Sequence, residues 1–335
     1  MPDTFGGRLT GLCAGLMMLL AACSAAPNQA QDDQEQWNTL DGKPPLIIAH
    51  RGASGYLPEH TLEAYTLAID QAADFIEPDL VITKDGELIV RHDRYLSGST
   101  DIADHPEFAD RRTVKDGHEG ADWFVEDFTL AELKTSRARQ PRAGRSTEFD
   151  GLYEIPTFAE VLGLAVRRSK ETGRRIGVYP ETKQPSALEA LGLPFDDALI
   201  ETLAAYGFED ADDPVFIQSF GTENLRRLNS KTNIRLVYLF WQPLSLSLED
   251  IAEFADAIGP YKLMLADGNK ESTGMLEEAH HQGLTVHTWT FREDDVGPGF
   301  KGDARKELEY FLELGVDGIF SDFPDTAYVA REKPI

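Results

Sequence analysis

The sequence predicts an α/β protein closed as a (β/α)8 TIM barrel, and three observations carry that expectation. From Leu46 onward, short apolar runs alternate with stretches whose apolar residues recur at helical spacing. Eight of these runs are each followed by such a stretch, and eight strands close this barrel. No glycine-rich nucleotide fingerprint follows the first run, which argues against an open doubly wound sheet. A chain of 335 residues, 41% apolar, can bury a core of that size.

The first strand is expected over 46–50 and the first helix over 61–73, where Leu62, Tyr65, Ile69 and Ala72 repeat at helical spacing. The second strand is expected over 75–81. Another extended run, 87–92, follows it after only Lys84-Asp85-Gly86. Three residues cannot make a parallel crossover, so this run must return antiparallel as a ribbon outside the eight. Later strands are expected at 176–180, 215–219, 236–240, 262–265, 285–290 and 318–321. Helices are expected near 156–172, 195–206, 221–230, 248–257, 270–281 and 303–314. Pro156, with Phe158, Val161, Leu162 and Ala165 behind it, marks one helix start. The long segment 94–155, rich in Arg, Asp, Gly and Thr, has one helix start near Asp127-Phe128-Thr129-Leu130. A loop of that length usually has a task, and its exit from the active face of a barrel suggests a cap over the mouth.

The N-terminus reads differently. Arg8 precedes an apolar stretch, 9–22, that is too short to span a bilayer. Leu20-Ala21-Ala22-Cys23 then resembles a bacterial lipobox, which implies a signal peptide over 1–22 and a lipidated Cys23. Residues 23–44 have almost nothing to bury and read as a flexible tether to a barrel domain, 45–335. Cys13 is discarded on this reading, so the mature domain has no disulfide. The expected address is the cell envelope: periplasmic and lipid-anchored, with Ser24 favouring the outer membrane.

The balance of 58 acidic against 32 basic residues gives a net charge of −26. Such a field repels nucleic acid and anionic membrane surfaces, which leaves the lipid anchor as the expected membrane contact. It also requires local positive charge, or a metal, wherever an anion binds.

Four groups meet that requirement: His50-Arg51-Gly52, Glu77-x-Asp79, His92 and Glu181-x-Lys183. All but His92 fall at or near the end of an expected strand, where barrel enzymes place their working residues. Glu77 and Asp79, two apart on a strand, aim at one face. Two carboxylates there are costly without a cation between them, and Glu181 can complete a triad. All-oxygen ligation favours Ca²⁺ or Mg²⁺ over zinc. His50 and His92 suit a base and an acid across a scissile phosphate, though which does which is open. Arg51 and Lys183 supply positive charge to a phosphate or, without a metal, pair with the carboxylates. Gly52 and Gly55 allow a tight exit from the first strand. His287 shares a face with Trp289 but lies deeper and reads as core.

The run from Ile48 through His50-Arg51-Gly52-Ala53-Ser54-Gly55-Tyr56-Leu57-Pro58-Glu59-His60-Thr61 resembles the opening of glycerophosphodiester phosphodiesterases. It is most similar to the periplasmic bacterial branch, with Glu-His-Thr in place of Glu-Asn-Thr. Further similar segments are Glu77-x-Asp79-Leu80-Val81, His92-Asp93, Tyr179-Pro180-Glu181, Gln218-Ser219-Phe220, Ile258-Gly259-Pro260 and Ser321-Asp322-Phe323-Pro324, spanning about residues 46–327. The resemblance implies a barrel of the PLC-like phosphodiesterase type, one divalent ion, and hydrolysis of glycerophosphodiesters such as glycerophosphocholine and glycerophosphoethanolamine to sn-glycerol 3-phosphate and an alcohol. It assigns the ion to Glu77, Asp79 and Glu181, with Ca²⁺ preferred over Mg²⁺. Proton transfer goes to His50 and His92, and phosphate binding to Arg51 and Lys183. Trp289, where some relatives carry Tyr, and Phe220 offer apolar faces to the glycerol carbons. Two other readings compete: a phospholipase D-like activity on lysolipids, which a wide apolar mouth would favour, and a non-catalytic surface lipoprotein.

Overall fold

In the computed structural model, residues 37–115 and 117–332 are described. The expected signal peptide, the lipidation site Cys23 and the tether up to residue 36 lie outside them. The rest of the expected tether is docked, not free. The Leu40 N–H donates to Asp317 Oδ1 (2.7 Å), the Asn38 side chain donates to the Glu313 carbonyl (3.1 Å), and Trp37 packs on the core. A single apolar ring and two polar anchors suffice to seat this segment.

Eight parallel strands form the wall. They are β1 (Leu46–His50), β2 (Phe75–Glu77, resuming as Asp79–Ile82), β3 (Gly177–Val178, resuming as Glu181–Thr182), β4 (Phe216–Ser219), β5 (Arg235–Phe240), β6 (Ala257–Pro260), β7 (Thr285–Phe291) and β8 (Gly318–Ser321). Each pairs with the next, and β8 pairs back onto β1 in the register Leu46↔Gly318, so the ring of pairings closes. The breaks in β2 and β3 fall at Pro78 and Pro180, which cannot donate to the ladder. Leu88–Val90 returns antiparallel on Asp79–Ile82 as expected.

One expected strand is misplaced. Residues 262–265 form a 3-10 turn, Lys262–Met264, and the sixth strand is Ala257–Pro260, of which only Ala257 falls within the helix expected near 248–257. The helix before it stops early, at Leu248–Ala252. Gly259 and Pro260 are poor strand formers, so propensity pointed elsewhere. Ladder pairing decides the matter: Val237↔Ala257 through Phe240↔Pro260 join β5 to β6, and the Leu239 side chain lies where a Cβ on Gly259 would point.

The segment 94–155 has an apolar core of its own. Leu96, Ile102, Phe108, Trp123, Val125, Phe128, Leu133 and Ile155 pack onto Val81 of β2 and Ile89 of the returning strand. Thr129 caps the short helix Leu130–Leu133 with a capping box to Glu132. The segment walls the mouth beside His50 and Arg51, and its Arg145 reaches on to Asp294 and Asp322 past β7 and β8.

Inside the barrel, the period of two along each strand sets two layers. Ile48, Phe75, Tyr179, Phe216, Val237 and Phe320 form a buried floor. Two residues further along their strands come His50, Glu77, Glu181, Gln218, Leu239 and Asp322. His287 belongs to the floor, where its Nδ1 meets the Tyr179 hydroxyl at 2.6 Å. Among the described residues no helix is long and apolar enough to cross a membrane.

Candidate active site

The exit from β1 is shaped by its backbone. Arg51 takes a left-handed φ of 61° and Gly52 one of 87°. A Cβ at Gly52 would meet the Ala64 backbone at 2.8 Å, so the turn requires glycine. The turn sends the Arg51 N–H onto Glu77 Oε2 (2.8 Å) and folds the guanidinium back between Glu59 (2.9 Å) and Asp79 (3.4 Å).

Glu77, Asp79 and Glu181 are buried, and one oxygen from each lies within 4.8 Å of the others. Gln218 donates to Glu77 Oε1 (3.0 Å), and Lys183 Nζ stands 2.7 Å from Glu181 and 3.8 Å from Asp79. Two cations thus face three acids here, and the imbalance shows in their acidities. Burial, with Asp79 and Glu181 nearby, holds Glu77 well above the usual carboxylate range. Burial also lifts Glu181 to about 8, against the pull of Lys183. Asp79 goes the other way: burial opposes ionisation, but Lys183 and a hydrogen bond from His60 outweigh it and hold the group well below its ordinary value. Asp79 Oδ1 is nonetheless a buried acceptor with no hydrogen-bond donor among the described residues.

The two histidines are set from behind. His50 Nδ1 lies 2.6 Å from Asp322 Oδ1, and the other Asp322 oxygen takes Arg145 (2.6 Å) and Arg292 (2.9 Å). Burial, with Arg51 adjacent, lowers His50 to about 4, so the ring is neutral at pH 7. With Nδ1–H given to Asp322, its Nε2 lone pair is left for the cavity the ring lines. His92 Nδ1 meets Asp93 at 3.0 Å, and burial with Arg51 and Lys183 pushes its pKa below the ordinary imidazole value too.

Of the residues singled out in the sequence, His50, His92, Arg51, Lys183, Glu77, Glu181, Phe220 and Trp289 all line one cavity of about 100 Å³ at the C-terminal mouth. Asp79 sits just behind it, joined to Arg51 and Lys183. Both cations are paired with carboxylates in this structure.

Several positioning residues were not assigned from the sequence. His60 is fully buried and, lowered to about 4 by burial, is neutral. It donates from Nε2 to Asp79 (2.8 Å), which leaves Nδ1 to accept from Tyr65 (2.7 Å). Its place in Glu59-His60-Thr61 was the available signal. Asp322 follows Phe320 by two and so falls in the working layer, a step the strand period could have revealed. Arg145 had no signal: it arrives from the long segment, binds Asp294 and Asp322, and ties that wall to the carboxylate behind His50.

Comparison with known proteins adds to this geometry. Residues 50–326 match the model of the glycerophosphoryl diester phosphodiesterase family. A glycerophosphodiester phosphodiesterase of Arabidopsis thaliana is 33% identical, with 95% of each chain covered. One of Haemophilus influenzae is 32% identical over 95% of this chain and 96% of its own. A solved Oleispira antarctica phosphodiesterase, in complex with the product sn-glycerol-3-phosphate, superposes with a TM-score of 0.64 at 22% identity, covering 88% of this chain and all of that one (100%). The similarity reaches a plant enzyme as well as bacterial ones and singles out no branch.

Proposed function

We propose, from the premise that this chain belongs to the glycerophosphoryl diester phosphodiesterase family, that its mouth hydrolyses glycerophosphodiesters by metal-assisted acid–base chemistry. The named relatives carry this activity over nearly their whole length. The observation supporting the metal is the orphaned Asp79 Oδ1 among three buried carboxylates. Glu77, Asp79 and Glu181 would hold the ion, with Ca²⁺ preferred over Mg²⁺ for an all-oxygen set. Bound there, it would supply Lewis-acid charge to the phosphate.

The chain's own residues do the rest. Arg51 and Lys183 turn from their carboxylates toward the phosphate oxygens, Arg51 as a fork and Lys183 as a point charge. One imidazole takes the proton of the attacking oxygen as the new P–O bond forms, and the other gives a proton to the alcohol oxygen as its P–O bond breaks. Phe220 and Trp289 shield the glycerol carbons. Glycerophosphocholine and glycerophosphoethanolamine are the substrates to assay, with release of sn-glycerol 3-phosphate as readout. Turnover is expected to vanish after exhaustive chelation and return with Ca²⁺; undiminished activity after chelation would remove the ion from the reading.

The kinship with the periplasmic branch and the envelope address form part of the same proposal, motivated by Glu59-His60-Thr61 and by Leu20-Ala21-Ala22-Cys23. In a bacterial host, Cys23→Ser is expected to move the protein from the membrane to the soluble envelope fraction. An unchanged distribution would count against lipidation.

A further inference from the structure

The mouth has two chemically unlike halves. β1–β3 and β8 carry the ionisable groups described above. Each of the four strands between them delivers an aromatic side chain: Phe220 just past β4, Trp241 just past β5, Tyr261 just past β6, and Trp289 on β7. Phe220 meets Trp241 at 5.1 Å between centroids with the planes at 64°, and Trp289 at 5.9 Å and 87°. Beside these rings a groove of about 720 Å³ adjoins the phosphate cavity and shares His92, Glu181, Lys183, Phe220 and Trp289 with it. Trp241 is 57% exposed there, a large ring with one side uncovered.

We propose that this groove receives the cationic head group of the diester, a quaternary ammonium alcohol held against Trp241, beside the Phe220 ring that shields the glycerol carbons. The proposal rests on the phosphodiesterase reading and deepens it. Three features favour a cation over an acyl chain. The apolar lining is made of rings, Pro185 and Ala187, with no Leu, Ile, Val or Met side chain, whereas an acyl chain packs best on aliphatic surface. Rings set steeply to one another present π-faces in different directions, which suits a trimethylammonium group. Finally, Asp93 brings negative charge to the same groove, and the net charge of −26 draws cations to the protein.

The assignment also orders the histidines. His92 lines the groove, while His50 lines a separate cavity of about 260 Å³ walled by Arg142 of the long segment. A head group departing into the groove passes His92. His92, in its imidazolium form, therefore protonates the alcohol oxygen as its bond to phosphorus breaks, and neutral His50 takes the proton of the attacking oxygen as the new bond forms.

The test uses the full chain. Choline is titrated against tryptophan emission beside 3,3-dimethylbutanol, its uncharged isostere. Choline is expected to bind roughly tenfold tighter than the isostere, with the response lost in Trp241→Ala and partly kept in Trp241→Phe. In turnover, Trp241→Ala is expected to lower kcat/KM for glycerophosphocholine roughly tenfold more than for glycerophosphoglycerol. Equal binding of choline and isostere, or equal losses on the two diesters, would each overturn the head-group site. Choline binding without turnover of any diester would sustain the groove and remove the catalytic reading beneath it. Turnover without a choline-specific loss would do the reverse.

Discussion

Replacing His50 with alanine is expected to lower kcat on glycerophosphocholine by ~10²–10⁴, the usual worth of a positioned proton-transfer group. The ring is partly open to the cavity and contributes little to the packed floor beneath it, so thermal stability should change little. A sharper version substitutes Asp322→Asn. The carboxylate accepts from Nδ1–H at 2.6 Å and so keeps the Nε2 lone pair on the cavity side. An amide can donate to Nδ1 instead, which moves the ring proton to Nε2 and turns a base into a donor. The Asp322→Asn loss should therefore approach that of His50→Ala, although Asp322 never touches substrate. The pH profile is a second check. A base must be neutral to work, and His50 is lowered by burial and by Arg51 from 6.5 to about 4. Its acid limb should thus fall well below the ordinary imidazole value, and an acid limb near 6.5 that disappears in the alanine variant would contradict the assignment. Circular dichroism on both variants separates lost chemistry from lost fold.

The reason these residues could be read from the sequence lies in the barrel's geometry. Strand period and strand ends fix where a side chain points, so His50, Glu77 and Glu181 were legible as a set once their strands were recognised. The antiparallel return of Leu88–Val90 was legible from a three-residue connection alone. What stayed hidden depends on packing between segments far apart in the chain. Ala257–Pro260 is a strand because it pairs between Val237–Phe240 and Thr285–Val286, not because its residues favour extension. Arg145 reaches Asp322 across 177 residues, and nothing near Arg145 in sequence announces it. Nothing in the sequence singles out Trp241; only the folded mouth shows it beside Phe220 and the groove. The charged composition of 94–155 likewise concealed the apolar core that its buried residues build.

The ion site should couple metal binding to pH in a direction the acidities fix. Glu181 sits at about 8 in the folded chain against an ordinary 4.5, and Glu77 is raised by burial in the same sense. A carboxyl raised on folding contributes stability that is fully present below its unfolded value and is lost as pH rises through its folded value. Asp79 has the opposite sign, held low by Lys183 and His60, and its contribution disappears only in strong acid. Between 4.5 and about 8 the chelated protein is therefore expected to lose stability as pH rises, with Glu181 and Glu77 surrendering protons into a buried, crowded site. An ion needs the same carboxylates ionised and competes with those protons. Added Ca²⁺ should thus raise Tm little near the acid end of that range and progressively more toward its alkaline end. Glu181→Gln removes one of the competing protons and one ligand together, so it should flatten the slope and weaken the Ca²⁺ response at once. The measurement is a set of melting curves across that range, with excess Ca²⁺ and after chelation, for the unaltered chain and the variant. A Ca²⁺-induced shift of equal size at every pH would mean that the ion is held elsewhere, and that the three buried acids are reconciled by Arg51 and Lys183 alone.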